Sequence, residues 1–252
     1  MVAADGRNIT AYATATSAAG FNAAAIGVNV TLGVSGTAPT NSAIFTGSYS
    51  LQSTTNSPIT IGTQVTGNLS RSGLNAGTYQ ANTSYITSFP RATANTATVG
   101  STLGSYPLQA GDLVINGIAI PASIATDDTA SDTSSTISNK AASAIAIAAA
   151  VNKVSAQTGV QAVAVPNTLV GTGFAVNSAS SGHTGTLTIN GVNITVSITS
   201  ATKAIDLVNL INQNSGTTGV VATDNGSGIT LEAHDGRNIS LSMNSASTLT
   251  LN

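Results

Sequence analysis

The chain has 252 residues, a net charge of −2 and no Cys or Trp, with 6% charged and 4% aromatic residues, whereas ordinary soluble domains carry about 25% charged residues. The absence of Cys excludes disulfides and thiolate chemistry, and seven Lys and Arg scattered without a patch exclude phosphate-backbone recognition of nucleic acid. The most apolar stretch, 141–151, falls well short of the ~20 residues a membrane helix needs.

A core of Ala, Val, Ile and Leu with few aromatics gains little burial per residue. Such a chain needs regular backbone pairing and internal repetition, and repeats carry most of its information. Asp5-Gly6-Arg7-Asn8-Ile9 recurs as Asp235-Gly236-Arg237-Asn238-Ile239, using two of the scarce charges each time. Residues 1–66 read as the tail of a repeat unit. Residues 67–107, rich in Ser, Thr, Asn and Gly with Pro90 and Pro107, read as a linker or irregular β region.

Two further units are expected at 108–180 and 181–252. Each opens on a β-hairpin, 113–120 in the first and 187–194 in the second. Asn116-Gly117 and Asn190-Gly191 supply the two positive-φ positions of a type I′ turn. Pairing across the turn sets Ile115 opposite Ile118 and Leu113 opposite Ile120; in the second copy Ile189 faces Val192 and Leu187 faces Ile194. Apolar spacing then changes from two to 3.6, which predicts helices over 139–156 and 201–214. Residues 134–138 and Ser200 are the expected sources of N-caps. Both helices end at Thr-Gly-Val, where Gly159 and Gly219 suit a left-handed closing position. Strands follow at 160–165 and 220–223, the second continuing through Asn225-Gly226 to 229–231 and a further hairpin that holds Asp-Gly-Arg-Asn-Ile. The expected fold class is therefore α+β and strand-dominated, with small units of β-hairpins and one helix packed on a sheet.

At these residues the chain resembles the bacterial flagellins, in the middle region that carries repeats with an Ile-Asn-Gly core. Ile115-Asn116-Gly117, Ile189-Asn190-Gly191, Ala149-Ala150-Val151-Asn152, the two Thr-Gly-Val triplets and Asp-Gly-Arg-Asn-Ile stand in the family's order. The match is good over 111–245, moderate over 2–66 and poor over 67–107. The resemblance implies an exported, extracellular protein on the outer, antigenic face of the flagellar filament, supporting motility. Neighbouring flagellin subunits are the implied partners, and O-linked glycans on unspecified Ser and Thr are a family feature. Neither end shows long heptads, so the family's terminal polymerising helices are expected to be missing and this chain alone to be a monomer. A hook-associated protein or a surface adhesin built from the same repeat is the alternative.

Candidate chemistry is sparse. Of the two histidines, His183 has no acidic neighbour in sequence, whereas Glu232, His234 and Asp235 form a possible metal or acid–base group. The first Asp-Gly-Arg copy has Ala4 where His234 stands, which favours a polar hairpin rim. Asp127, Asp128 and Asp132 are the one acidic cluster; they lack the ligand spacing of an EF-hand and read as a loop leading into a helix N-terminus. Arg7 and Arg237 are read as turn-bracing residues paired with Asp5 and Asp235. Hydrolase, zinc-peptidase and phosphate-loop motifs do not occur. Asn8-Ile9-Thr10 and Asn193-Ile194-Thr195 are chance sequons. The expectation is a structural protein, not an enzyme, with no catalytic, cofactor-binding or metal-binding residues, no cofactor, and neither nucleic acid nor membrane as partner.

Overall fold

A computed structural model describes residues 41–80, 86–87, 91–95, 107–133, 139–171, 174 and 182–245. The first Asp-Gly-Arg-Asn-Ile copy, Arg7, the sequon at Asn8 and the expected caps at 134–138 lie outside the described residues. The fold is α+β and strand-dominated, as the change of period predicts: fifteen strands and four short α-helices among the described residues.

The second Asn-Gly hairpin is the simplest to build. β11 (His183–Ile189) pairs antiparallel with β12 (Val192–Ile198), with Leu187 opposite Ile194 and Ile189 opposite Val192. On β12, Ile194, Val196 and Ile198 are buried while Asn193, Thr195 and Ser197 are exposed, the period-two pattern of a half-buried sheet. Asn190 and Gly191 take φ 46° and 80°, and Asn116 and Gly117 take 50° and 82°, as the type I′ turn requires. The first hairpin is shorter, β7 (Val114–Ile115) with β8 (Ile118–Ala119), and its tip residue Ile118 is exposed rather than facing the core.

Both helices are shorter than the periodicity predicts. α1 spans Ala144–Asn152 and α2 Ser155–Thr158; α3 spans Ala204–Asn212 and α4 Ser215–Thr218. The break has one cause in both. Asn152 turns its amide onto the adjacent strand, donating to Ala162 O (2.9 Å) and accepting from Ala162 N (2.8 Å). Asn212 does the same with Ala222 (2.9 and 2.7 Å). Val154 and Asn214 then leave helical backbone angles. At the front, Asn139 sits at φ 49° and Ser143 caps α1 by accepting from Ala146 N at 3.0 Å. The N-cap of α3 is Lys203 rather than Ser200, and its N–H donates to the Asp206 carboxylate at 2.8 Å. Gly159 and Gly219 close α2 and α4 in the left-handed region, at φ 66° and 68°.

The sheets repeat an arrangement. One sheet has the order β12-β11-β15-β1-β6, where β15 is Ile239–Ser245, β1 Asn41–Thr46 and β6 Arg91–Asn95. Its counterpart has the order β8-β7-β3-β4, where β3 is Ile59–Gly62 and β4 Gly77–Tyr79. A three-stranded sheet accompanies each. The first is β13 (Val221–Asp224), β14 (Ile229–Ala233) and β10 (Asn167–Val170). The second is β9 (Val160–Ala164), β2 (Tyr49–Ser53) and β5 (Ile86–Thr87). The registers coincide: Leu231 opposes Ala222 as Leu51 opposes Ala162, and Leu241 opposes Ile189 as Ile61 opposes Ile115.

There are thus two modules of the same design, each with its own core. One gathers Leu187, Ile189, Val208, Ile211, Leu231 and Ile239; the other gathers Tyr49, Leu51, Leu113, Ile115, Ile147 and Val151. They differ in chain order. The strand pair β14–β15 follows its hairpin and helix, whereas the equivalent pair β2–β3 precedes them. The segment 67–80 adds a 3-10 turn (Leu69–Ser72) and β4 to the same module, and Tyr49 Oη donates to Ser72 O at 2.6 Å. The Asp-Gly-Arg-Asn segment is not a hairpin turn, because β14 and β15 belong to different sheets; it is the link between them.

Candidate functional site

Glu232, His234 and Asp235 do not converge. Glu232 lies on β14, and His234 just past its end; His234 Nδ1 stands 3.0 Å from Glu232 Oε1, with the imidazole exposed and the carboxylate half-buried. Asp235 turns away to Arg237, which donates Nε to both carboxylate oxygens (3.1 and 2.8 Å) and stands 2.7 Å away through Nη2. The Arg237–Asp235 partnership is the one read from the sequence. Burial alone would raise the Asp235 carboxyl, but the Arg237 side chain, its backbone N–H and its charge outweigh that and hold it below the ordinary value of 3.8. A carboxylate so held is a poor general base and is already satisfied as an acceptor.

The acidic cluster is also dispersed. Asp127 pairs with Lys153 at 2.6 Å. Asp128 is fully buried and accepts from Ala130 N and Ser131 N through one oxygen, bracing its own loop. Asp132 directly follows the braced Ser131. Among the described residues, no group of three or more His, Asp or Glu side chains is placed to hold a metal ion. His183 opens β11, paired in the backbone with Ile198. A groove of about 580 Å³ runs beside β12 and α3, lined by Thr195, Ser197, Thr199, Thr202, Asp206 and Leu207 among others. Its carboxylate, Asp206, is the one engaged by Lys203 N, and no histidine lines it.

The polar side chains that are built into a site belong to the Ile-Asn-Gly turns. Asn190 Oδ1 accepts from Ser240 N at 2.8 Å, its Nδ2 donates to Thr218 O at 2.8 Å, and its backbone N–H donates to Ser240 O at 3.0 Å. Asn116 makes the same three bonds, to Thr60 N (2.7 Å), Thr158 O (2.8 Å) and Thr60 O (2.9 Å). One asparagine thus ties the hairpin tip, the end of the helical segment and the third strand together. Thr218 Oγ1 accepts from Val220 N and Thr158 Oγ1 from Val160 N, which fixes each helix-to-strand corner. Arg237 lies across Gly219, where any Cβ would collide with the guanidinium, and its Nη1 stands 3.5 Å from Thr218 O.

These asparagines were legible from the sequence only as turn formers. The signal for the rest was present: both copies keep Asn rather than another turn residue, and both keep Thr before the helix-closing Gly. This arrangement ties side-chain amides and hydroxyls mainly to backbone groups of the same module, and no pair of its groups is poised for proton transfer or metal binding.

Residues 186–235 match the family described as the flagellin hook IN motif. The matched segment runs from within β11 through β12, α3, α4 and β13 to the end of β14 and Asp235, which is the module's hairpin, helices and next two strands without β15, β1, β6 and β10. The match supports a flagellin-related protein. No curated protein and no solved structure gives a match. Among the described residues, no helix is long and apolar enough to cross a membrane.

Proposed function

We propose that this chain is part of the outward-facing region of a flagellar filament subunit, with a structural rather than catalytic role. The observation that carries this reading is the module itself. The segment matching the flagellin hook IN motif folds as hairpin, helix and strand, and a second module in the same chain repeats its asparagine tie and its register. Flagellin is a structural family that assembles outside the cell, and a chain whose built sites bind only its own backbone suits that role. Assembly contacts are assigned to the polymerising helices of the family rather than to these modules, so the isolated chain stays monomeric. Any O-linked glycan would sit on an exposed Ser or Thr.

Immunogold electron microscopy with antibody raised against the chain tests the assignment. Labelling along the whole filament is the expected outcome. Labelling confined to the hook–filament junction or the filament tip would give the protein to the hook-associated class, and labelling of the cell body with bare filaments would make it an adhesin. Sedimentation of the purified chain should show a monomer; ordered fibres would overturn the monomer assignment.

A further inference from the structure

By strand order the chain passes between the two modules at β1–β2, β5–β6, β6–β7 and β9–β10, and the first and last of these crossings lie under the Asp235–Asn238 segment. It leaves β1 for β2 through Gly47 and Ser48, and leaves β9 for β10 through Val165 and Pro166. Val165 N donates to Ser48 O at 2.9 Å, so these two crossings are bonded to each other. Asn167, almost wholly buried, donates to Phe45 O (2.7 Å) and Arg237 O (3.1 Å). Gly236 closes over this point at φ 77°: a Cβ there would stand 2.8 Å from Ala164 Cβ and 2.9 Å from Val165 O. Gly47 meets it from below, since its own Cβ would stand 2.8 Å from Gly236 O. Asn238, 2% exposed, donates its N–H to Ser131 Oγ at 2.9 Å, and Ser131 is itself held by the Asp128 carboxylate.

The equivalent segment of the other module keeps the backbone shape and drops the chemistry. By register, Asn56 at φ 56° stands where Gly236 stands, and Ser57 and Pro58 where Arg237 and Asn238 stand. Pro58 has no N–H to donate. A turn needed only to link two sheets would not require Gly against a neighbouring backbone, nor a buried Asn reaching another module.

We propose that Asp235-Gly236-Arg237-Asn238 is a module-to-module coupler, an interaction surface whose partner is the neighbouring module at Ala164, Val165 and Ser131, and that it makes the two modules open as one cooperative block. Each residue has a part. Asp235 orients Arg237; Arg237 covers the helix end and, through its carbonyl, anchors Asn167 of its own module beside the crossing; Gly236 admits the close approach; Asn238 bonds Ser131. This goes beyond the filament assignment and does not depend on it.

Hydrogen exchange of the intact chain, read by mass spectrometry along a denaturant series, tests the proposal. In the unmodified chain, peptides covering Ala144–Asn152 and Ala204–Asn212 are expected to open together. Gly236→Ala and the milder Ser131→Ala should separate them, so that opening constants of the two helices differ by about tenfold or more, the equivalent of one lost buried hydrogen bond. Gly226→Ala is the control: Gly226 has φ 80° but open space around its Cβ, so the variant carries the backbone strain without the junction. It should raise both opening constants equally. Helices that already open separately in the unmodified chain would overturn the proposal, as would Ser131→Ala leaving them coincident. Neither result touches the immunogold test of filament location.

Discussion

At the scale of single residues, stability concentrates in a few polar side chains because the core has little to spare. Asn190 is 9% exposed, and it satisfies Ser240 N and Thr218 O, both in buried residues. Truncation strands both partners, and each stranded buried group costs about 1–3 kcal/mol. Asn190→Ala should therefore destabilise by about 2–4 kcal/mol in denaturant melts, and Asn116→Ala by less, because Asn116 and Thr60 are exposed and water reaches the stranded Thr60 N–H. A loss below about 1 kcal/mol at Asn190 would mean that water replaces the amide. Asp112 is a second such residue. It accepts from Asn68 N (2.7 Å) and Gln109 N (2.8 Å) and pairs with Arg71 at 3.1 Å. Burial alone would raise its carboxyl, but these bonds and the Arg71 charge outweigh it and set the folded value below 3.8. The folded chain therefore holds this proton less tightly than the unfolded one. Its contribution is complete above the ordinary value of 3.8 and drains away as pH falls through the lower folded value. Asp235 acts in the same direction, weakened by solvent. Melting midpoints should fall steeply below about pH 4, and Asp112→Asn should flatten that fall. A slope unchanged by the substitution would remove Asp112 as its source.

At the scale of elements, the helices are governed by their ends. α1 is buried on nearly all sides and bounded by Ser143 at its N-terminus and Asn152 at its C-terminus. Ser143→Ala removes the acceptor for Ala146 N and should cost about 1 kcal/mol. Circular dichroism and a denaturant midpoint measure it; no loss would mean that the preceding 3-10 turn caps the helix unaided. The ends are also where the sequence was hardest to read. Hairpins were legible because Asn-Gly and alternation act within eight residues, and their registers are as expected. Helix length was not, because Asn152 and Asn212 spend their amides on strands ten residues away, and apolar spacing does not register a side chain leaving its own helix. The strand pair over 49–62 was hidden for a related reason. It shares with 229–242 the apolar positions Leu51, Ile59 and Ile61, but Thr55, Asn56, Ser57 and Pro58 replace the charged motif that marked the repeat. Arg237 with Asp235 was legible because scarce charges stand two apart in a turn; the reach of Asn238 to Ser131 spans 107 positions of the sequence.

At the scale of the molecule, two equivalent modules with opposite chain order imply a sequence of events in time. Leu231 finds Ala222 across one tight turn, whereas Leu51 must find Ala162 with all of 52–161 between them. Loop closure over the longer span is slower and entropically costlier, by about 0.6 kcal/mol for each doubling. The C-terminal module should therefore acquire its strand pair first, and pulse-labelling during refolding should show amides of β13 and β14 protected ahead of those of β2 and β9. Simultaneous protection would sink this ordering. The two strand pairs offer a hairpin the same backbone partners, Ser240 and Thr60, so they are rivals for one berth. Early self-completion of the C-terminal module removes that berth before the slower pair can occupy it. The permuted order thus works as a timetable, sorting two interchangeable pieces by arrival rather than by shape.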